Sequence, residues 1–137
     1  MANGNIRLGT LSLLILTGFG LTACGSYGEE ISVTQRGDTL DVTGVIDAGT
    51  VSTIQQAVVA APEITTLRLV NVPGSSDDEA SLNALAALIR QENLATVVPA
   101  EGMVASGGTD MAVMSTNRVI EDGACIGVHS WAAGNIF

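Results

Sequence analysis

A single α/β domain built on a mainly parallel sheet is predicted by three observations. Strand-length apolar runs alternate with helical periodicities in the order strand, helix, strand, helix, strand, helix between residues 39 and 115, the pattern of βαβ crossovers. Hydrophobic residues make up 47% of the chain, aromatics only 3%, and 16 glycines are present, so close-packed small side chains are expected and disorder is excluded. A length of 137 residues limits the molecule to one domain.

The first two dozen residues stand apart from this pattern. Arg7 precedes the apolar run Leu11–Gly20, which Leu21-Thr-Ala-Cys24 follows. A positive start, a short apolar stretch and small residues at its end read as an export signal. A membrane-spanning helix needs about 20 mainly apolar residues, and Gly18 and Gly20 interrupt this run. Leu21-Thr22-Ala23-Cys24 resembles the lipobox of bacterial lipoproteins. That resemblance implies cleavage before Cys24 and acylation of its sulfur, with several acyl chains giving stable anchoring. Residues 1–23 are then a signal peptide, 24–30 a tether and 31–137 the α/β domain. The expected location is the bacterial cell envelope, on a membrane and facing the periplasm or the cell exterior. With Cys24 acylated, Cys125 has no intrachain disulfide partner, and its apolar neighbours in Gly123–Val128 suit a packed thiol.

Within the domain, Ile31–Gln35 and Thr39–Ile46 alternate apolar and polar residues around the turn Arg36-Gly37-Asp38, as in a hairpin. Asp47–Ala61 reads as a helix, with Asp47, Thr50 or Ser52 as cap, Val51, Ile54, Ala57 and Val58 at helical spacing, and Pro62 past its end. Thr66–Val72 is a strand with Leu67, Leu69 and Asn71 on one side, broken by Pro73-Gly74-Ser75-Ser76. A second helix is expected over Asp77–Gln91, with Asp77, Asp78 and Glu79 in its first turn and Leu82, Leu85, Leu88 and Ile89 as its core stripe. Ala95–Pro99 is a third strand, Gly102–Thr109 a turn into the apolar segment Asp110–Ser115, and Arg118–Ile120 and Ala124–Ser130 two strands divided by Glu121-Asp-Gly123. Met103, Met111 and Met114 read as core filling.

The charge balance narrows the function classes. Five basic residues, all arginine, stand against 14 acids, for a formal net charge of −9. Nucleic acid and anionic lipid surfaces are bound by clustered cations, and these arginines are scattered at 7, 36, 68, 90 and 118. The absence of lysine excludes a Schiff base, a P-loop and a serine–lysine dyad, and a single histidine, His129, excludes a multi-histidine zinc site. No metal or cofactor is expected.

Two loops leave the carboxyl ends of adjacent predicted strands and open helices: Val72-Pro-Gly-Ser75 and Ala105-Ser-Gly-Gly108. Ligands of parallel sheets gather at such ends. Glycine-freed amides at a helix start hold an anion, either a phosphate or the oxyanion formed during acyl transfer. Ser106 sits on a strand-to-helix turn, the place from which a nucleophilic serine is presented. Valine at 104 leaves Gly-x-Ser-x-Gly only half matched. His129, at the end of a later strand, is the chain's one base of near-neutral pKa.

Over Leu40–Trp131 these elements resemble the ClpP/crotonase superfamily, in particular the proteolytic subunit of Clp protease and exported proteins related to it. Asn71-Val-Pro-Gly-Ser75 corresponds to that family's Asn-Ser-Pro-Gly-Gly loop, Met103-Val-Ala-Ser-Gly107 to the segment around its serine, and Arg118-Val-Ile to Ile-Gly-Val-His129 to its arginine-to-histidine segment. The resemblance implies Ser106 as nucleophile, His129 as general base, the amides of Gly74 and Gly107 as oxyanion hole, a peptide or protein substrate, and a homo-oligomer. Three departures stand out. Ser75 replaces the second loop glycine. Asp110, one helical turn after Ser106, either faces the site, where it would repel an oxyanion, or faces solvent. The family's triad acid lies well beyond the histidine, whereas this chain stops eight residues after His129, at Phe137; it is therefore expected to be C-terminally incomplete. The leading expectation is a lipid-anchored exported serine hydrolase. The alternative is a non-catalytic envelope lipoprotein that keeps the fold as an interaction or oligomerisation scaffold, and a coenzyme A thioester site is disfavoured by export and by the acidic charge.

Overall fold

The computed structural model describes residues 29–76 and 79–128. Their elements are β1 (Ser32–Arg36), β2 (Thr39–Thr43), α1 (Thr50–Ala60), β3 (Thr66–Val72), α2 (Glu79–Gln91), β4 (Ala95–Val98), β5 (Met103–Ala105), α3 (Gly107–Met114), β6 (Arg118–Ile120) and β7 (Cys125–Gly127). The signal-like segment and Asp77 and Asp78 lie outside the described residues.

The architecture is mixed α/β with a mainly parallel sheet. Among the described residues only the β1–β2 hairpin is antiparallel, turning at Gly37 with φ +62°. The pairs β2–β3, β3–β4, β4–β6, β3–β5 and β5–β7 are all parallel. β3 is the fork of this sheet. Its first residues, Thr66–Arg68, pair with Ala95–Val97 of β4, whereas Asn71 and Val72 pair with Met103 and Val104 of β5. Between β4 and β5 the chain steps sideways through a tight turn in which the Gly102 N–H donates to the Pro99 carbonyl at 2.7 Å. A second step joins β6 to β7, where the Ala124 N–H donates to Glu121 at 3.1 Å. The steps are bonded to one another: the Glu121 N–H donates to Val98, the Cys125 N–H to Gly102, and the Ala100 N–H to the Glu121 carboxylate at 2.9 Å.

Helical periodicity supplies the other layer. Ile54 and Val58 of α1, Leu85, Leu88 and Ile89 of α2, and Met111, Ala112 and Met114 of α3 bury against Leu40 and Val42 of β2 and Leu67, Leu69 and Val72 of β3. Each fully buried aliphatic side chain stabilises the fold by about 1.5–3 kcal/mol. α1 opens on Asp47, whose carboxylate accepts the Gly49 N–H at 2.9 Å and the Thr50 hydroxyl at 3.0 Å. The expected side-chain cap is not formed: Gly49 occupies the cap position with no side-chain cap hydrogen bond, and Asp47 instead braces the turn that leads into the helix. Thr96 and Ser115, both buried, donate to the carbonyls of Ala112 and Leu94 at 2.8 and 2.7 Å.

One expectation about β3 is corrected. The sequence alternation puts Asn71 on the side of Leu67 and Leu69, but Val72 is the next residue to be buried. A register shift between Val42 and Thr43 leaves Val42 opposite Leu69 and Thr43 opposite Asn71, so one residue of β3 is looped over and the phase changes. On β2 and β3 the paired residues Asp41 and Arg68 also form a charge chain: Asp41 accepts from Arg36 Nε at 2.7 Å and lies 3.4 Å from Arg68, which continues to Glu101.

Candidate functional site

The candidate site lies where β3 and β5 end side by side. β5 delivers Ser106 to the start of α3 with φ 50° and ψ −123°. A non-glycine residue at positive φ costs on the order of 1–3 kcal/mol and persists only where its surroundings over-determine it. Here they do so through close backbone contact. A Cβ at Gly108 would come 1.9 Å from the Val72 carbonyl oxygen, and one at Gly107 would come 2.6 Å from the Cβ of Ser75. Both positions therefore require glycine, and the Pro-Gly loop presses directly on the first turn of α3. On the other side the Ser106 N–H donates to the Gly127 carbonyl of β7 at 3.1 Å.

The loop after β3 is fixed by β2. The Ile46 N–H donates to Gly74 at 2.9 Å and the Ser76 N–H donates back to Ile46 at 2.8 Å, a parallel bridge that extends the strand pairing past Val72. Proline at 73 removes a donor at the point where the ladder would otherwise continue.

An open cleft of about 300 Å³ results, lined by Pro73, Gly74, Ser75, Ala105, Ser106, Gly127 and Val128. Ser106 and Gly74, predicted from different loops, meet in it. Gly107 is buried behind them as the first residue of α3, against Ser75. His129 lies outside the described residues, but Val128, its chain neighbour, lines the cleft. Cys24 also lies outside them. Cys125, in β7, is half-buried.

Among the described residues no charged side chain lines this cleft. The two dispositions open to Asp110 are resolved: it is exposed and belongs to a different groove between α2 and α3, with Glu79, Asn83 and Arg90. The described arginines are engaged elsewhere: Arg36 and Arg68 with acids, Arg90 with the Met114 carbonyl at 3.3 Å, and Arg118 with the Ser115 carbonyl at 3.0 Å. Among the described residues no cluster of three or more histidine, cysteine or acidic side chains is arranged to hold a metal. No helix among them is long and apolar enough to cross a membrane.

Sequence reasoning misses two participants. Gly127 supplies both a wall of the cleft and the carbonyl that receives Ser106, and Thr109 donates its hydroxyl to that same carbonyl at 3.0 Å. The partners are 18 residues apart, with no motif connecting them.

No family model and no curated protein matches this sequence. Among solved structures, DspI of Pseudomonas aeruginosa is similar at a TM-score of 0.48 and 15% identity, over 78% of this chain and 55% of its own. Subunit I of an enoyl-CoA hydratase from Geobacillus kaustophilus is similar at 0.47 and 17%, over 75% and 50%, and an enoyl-CoA hydratase from Bacillus anthracis at 0.48 and 12%, over 73% and 50%. The chain spans about half the length of each of these structures.

Proposed function

We propose that this chain is the core of a crotonase/ClpP-like serine hydrolase that cleaves peptide bonds through an acyl-enzyme at Ser106. The observation that carries the reading is the backbone of Ser106: a serine held at positive φ on a strand-to-helix turn, beside a Pro-Gly loop, in a shared cleft. In this mechanism the Ser106 Oγ attacks the substrate carbonyl carbon while His129 takes its proton. The amides of Gly74 and Gly107 stabilise the oxyanion, His129 returns the proton to the leaving amine, and water then releases the acyl group by the same steps.

A fluorophosphonate probe tests the reading on the full chain. Labelling that disappears in Ser106→Ala is expected. No labelling, or labelling that survives Ser106→Ala, overturns it. His129→Ala should lower the rate by about 10²–10⁴-fold while leaving the fold intact; an unchanged rate removes His129 as base.

Export and anchoring are part of the same proposal, supported by the lipobox-like Leu21–Cys24 alone. In a bacterial host, mass spectrometry should find the chain beginning at acylated Cys24, and Cys24→Ser should leave it unacylated. A second reading, the scaffold, is favoured by one observation: Val119, Ile120, Ile126 and Val128, on and beside the last two strands, are exposed. It predicts concentration-dependent association with no probe labelling.

A further inference from the structure

We propose that Gly74 is a specificity-determining residue of this site, its missing side chain leaving the space in which the acyl portion of the substrate lies; the inference rests on the hydrolase reading above. The described glycines divide by what a side chain would meet. Gly37, Gly44 and Gly123 stand at φ +62°, +104° and +100°, where a side chain is strained. At Gly102, Gly107, Gly108 and Gly127 a Cβ would come 1.9–2.7 Å from another atom of the protein. Gly49 is the cap of α1, a position that favours glycine. At Gly74 none of these reasons holds: its φ lies outside the left-handed region, and a Cβ there meets nothing within 4 Å among the described residues.

Glycine at an ordinary φ weakens a fold relative to alanine, because it has more unfolded-state freedom to lose. The fold therefore gains nothing from Gly74, whereas the cleft does, since Gly74 lines it together with Ala105 and Ser106. Its main chain is not free to draw back. On one side the Gly74 carbonyl accepts the Ile46 N–H at 2.9 Å and the Ser76 N–H donates to the Ile46 carbonyl at 2.8 Å; on the other, Ser75 rests against Gly107. A side chain added at 74 takes its space from the cleft. The occupant follows from the reaction. An oxyanion held by the Gly74 amide lies about 2.7–3.1 Å from that nitrogen, and the Gly74 Cα is about 1.46 Å from the same nitrogen, so the space beside the Cα adjoins the carbonyl under attack. What lies there is the substituent on that carbon: in a peptide, the Cα and side chain of the residue transferred to Ser106.

The experiment compares the rates at which dimethyl and diisopropyl fluorophosphate label Ser106 in the full chain. Both lose fluoride, and they differ in the bulk beside phosphorus, which stands in for the acyl carbon. Gly74→Ala and Gly74→Val should lower the diisopropyl-to-dimethyl rate ratio by about threefold and about tenfold, the scale on which a pocket discriminates a methyl or methylene group. Gly74→Ala should melt within about 4 °C of the wild type or above it. If Gly74→Val does not fold, Gly74→Ala carries the comparison. Wild-type labelling with a ratio that the folded variants leave unchanged overturns this inference alone, since displacement of the oxyanion amide slows both probes together. So does a Gly74→Ala melting temperature lowered by more than about 4 °C, because the fold itself then fills the space. Absence of wild-type labelling by both probes overturns the hydrolase reading and this inference with it.

Discussion

Around β2, β3, α1 and α2 the chain is held mainly by buried side chains, whereas around β5, α3 and β7 a smaller buried set, Val104, Met111, Ala112 and Met114, is joined by close backbone contacts. In the first region Leu40, Val42, Ile54, Leu67, Leu69, Leu85 and Ile89 are essentially removed from water. In the second, Gly107 and Gly108 meet Ser75 and Val72 with no room for a methyl group, and the Gly127 carbonyl gathers hydrogen bonds from Ser106 and Thr109. Apolar burial is non-directional and tolerates small adjustments, but backbone contact fixes position to a few tenths of an ångström. The molecule thus keeps its adjustable packing away from the cleft and its geometrically strict contacts beside it.

Four substitutions probe this contrast, each read by denaturant unfolding. Leu69→Ala, in the side-chain region, should cost most, about 2–5 kcal/mol, through lost transfer energy and the cavity left behind. Gly108→Ala should cost about 1–3 kcal/mol, because the new methyl meets the Val72 carbonyl and α3 must move. A value below 0.5 kcal/mol there would show that the backbone contact is not strict. Thr96→Val removes the buried hydroxyl bond to Ala112 and should cost about 1 kcal/mol. Val119→Thr, on the exposed β6, should fall within about 0.5 kcal/mol of wild type; a larger loss would mean that this face is covered in solution.

The same contrast explains what was legible in the sequence. Elements held by side chains announce themselves: the spacing of Ile54 and Val58, the stripe Leu85, Leu88 and Ile89, and the alternation of Leu67 and Leu69 locate α1, α2 and β3 to within a few residues. The register shift opposite Val42 is not legible, since nothing in the residue types marks which one is looped over. The fork of β3 is hidden for a similar reason, because β5 is three residues long and too short to show a period. Ser106 and Gly74 were readable as turn chemistry, and the structure brings them to one cleft. The disposition of Asp110 was not readable, because it depends on where α3 begins, and α3 begins at Gly107, ahead of the apolar segment that predicted it. Thr109 was invisible because its partner is a main-chain carbonyl on a later strand, which leaves no trace in side-chain identity.

The two sideways steps, 99–102 and 121–124, have a hereditary consequence. Because they are hydrogen-bonded to each other, inserting or deleting one residue in either would slide β5 past β7 and turn alternate side chains to the wrong face. β5 is held in register on its other side by β3, so a matching change in the second turn would not restore the pairing. The two turns, separated by a whole helix in the chain, therefore act as one gauge of the sheet's register.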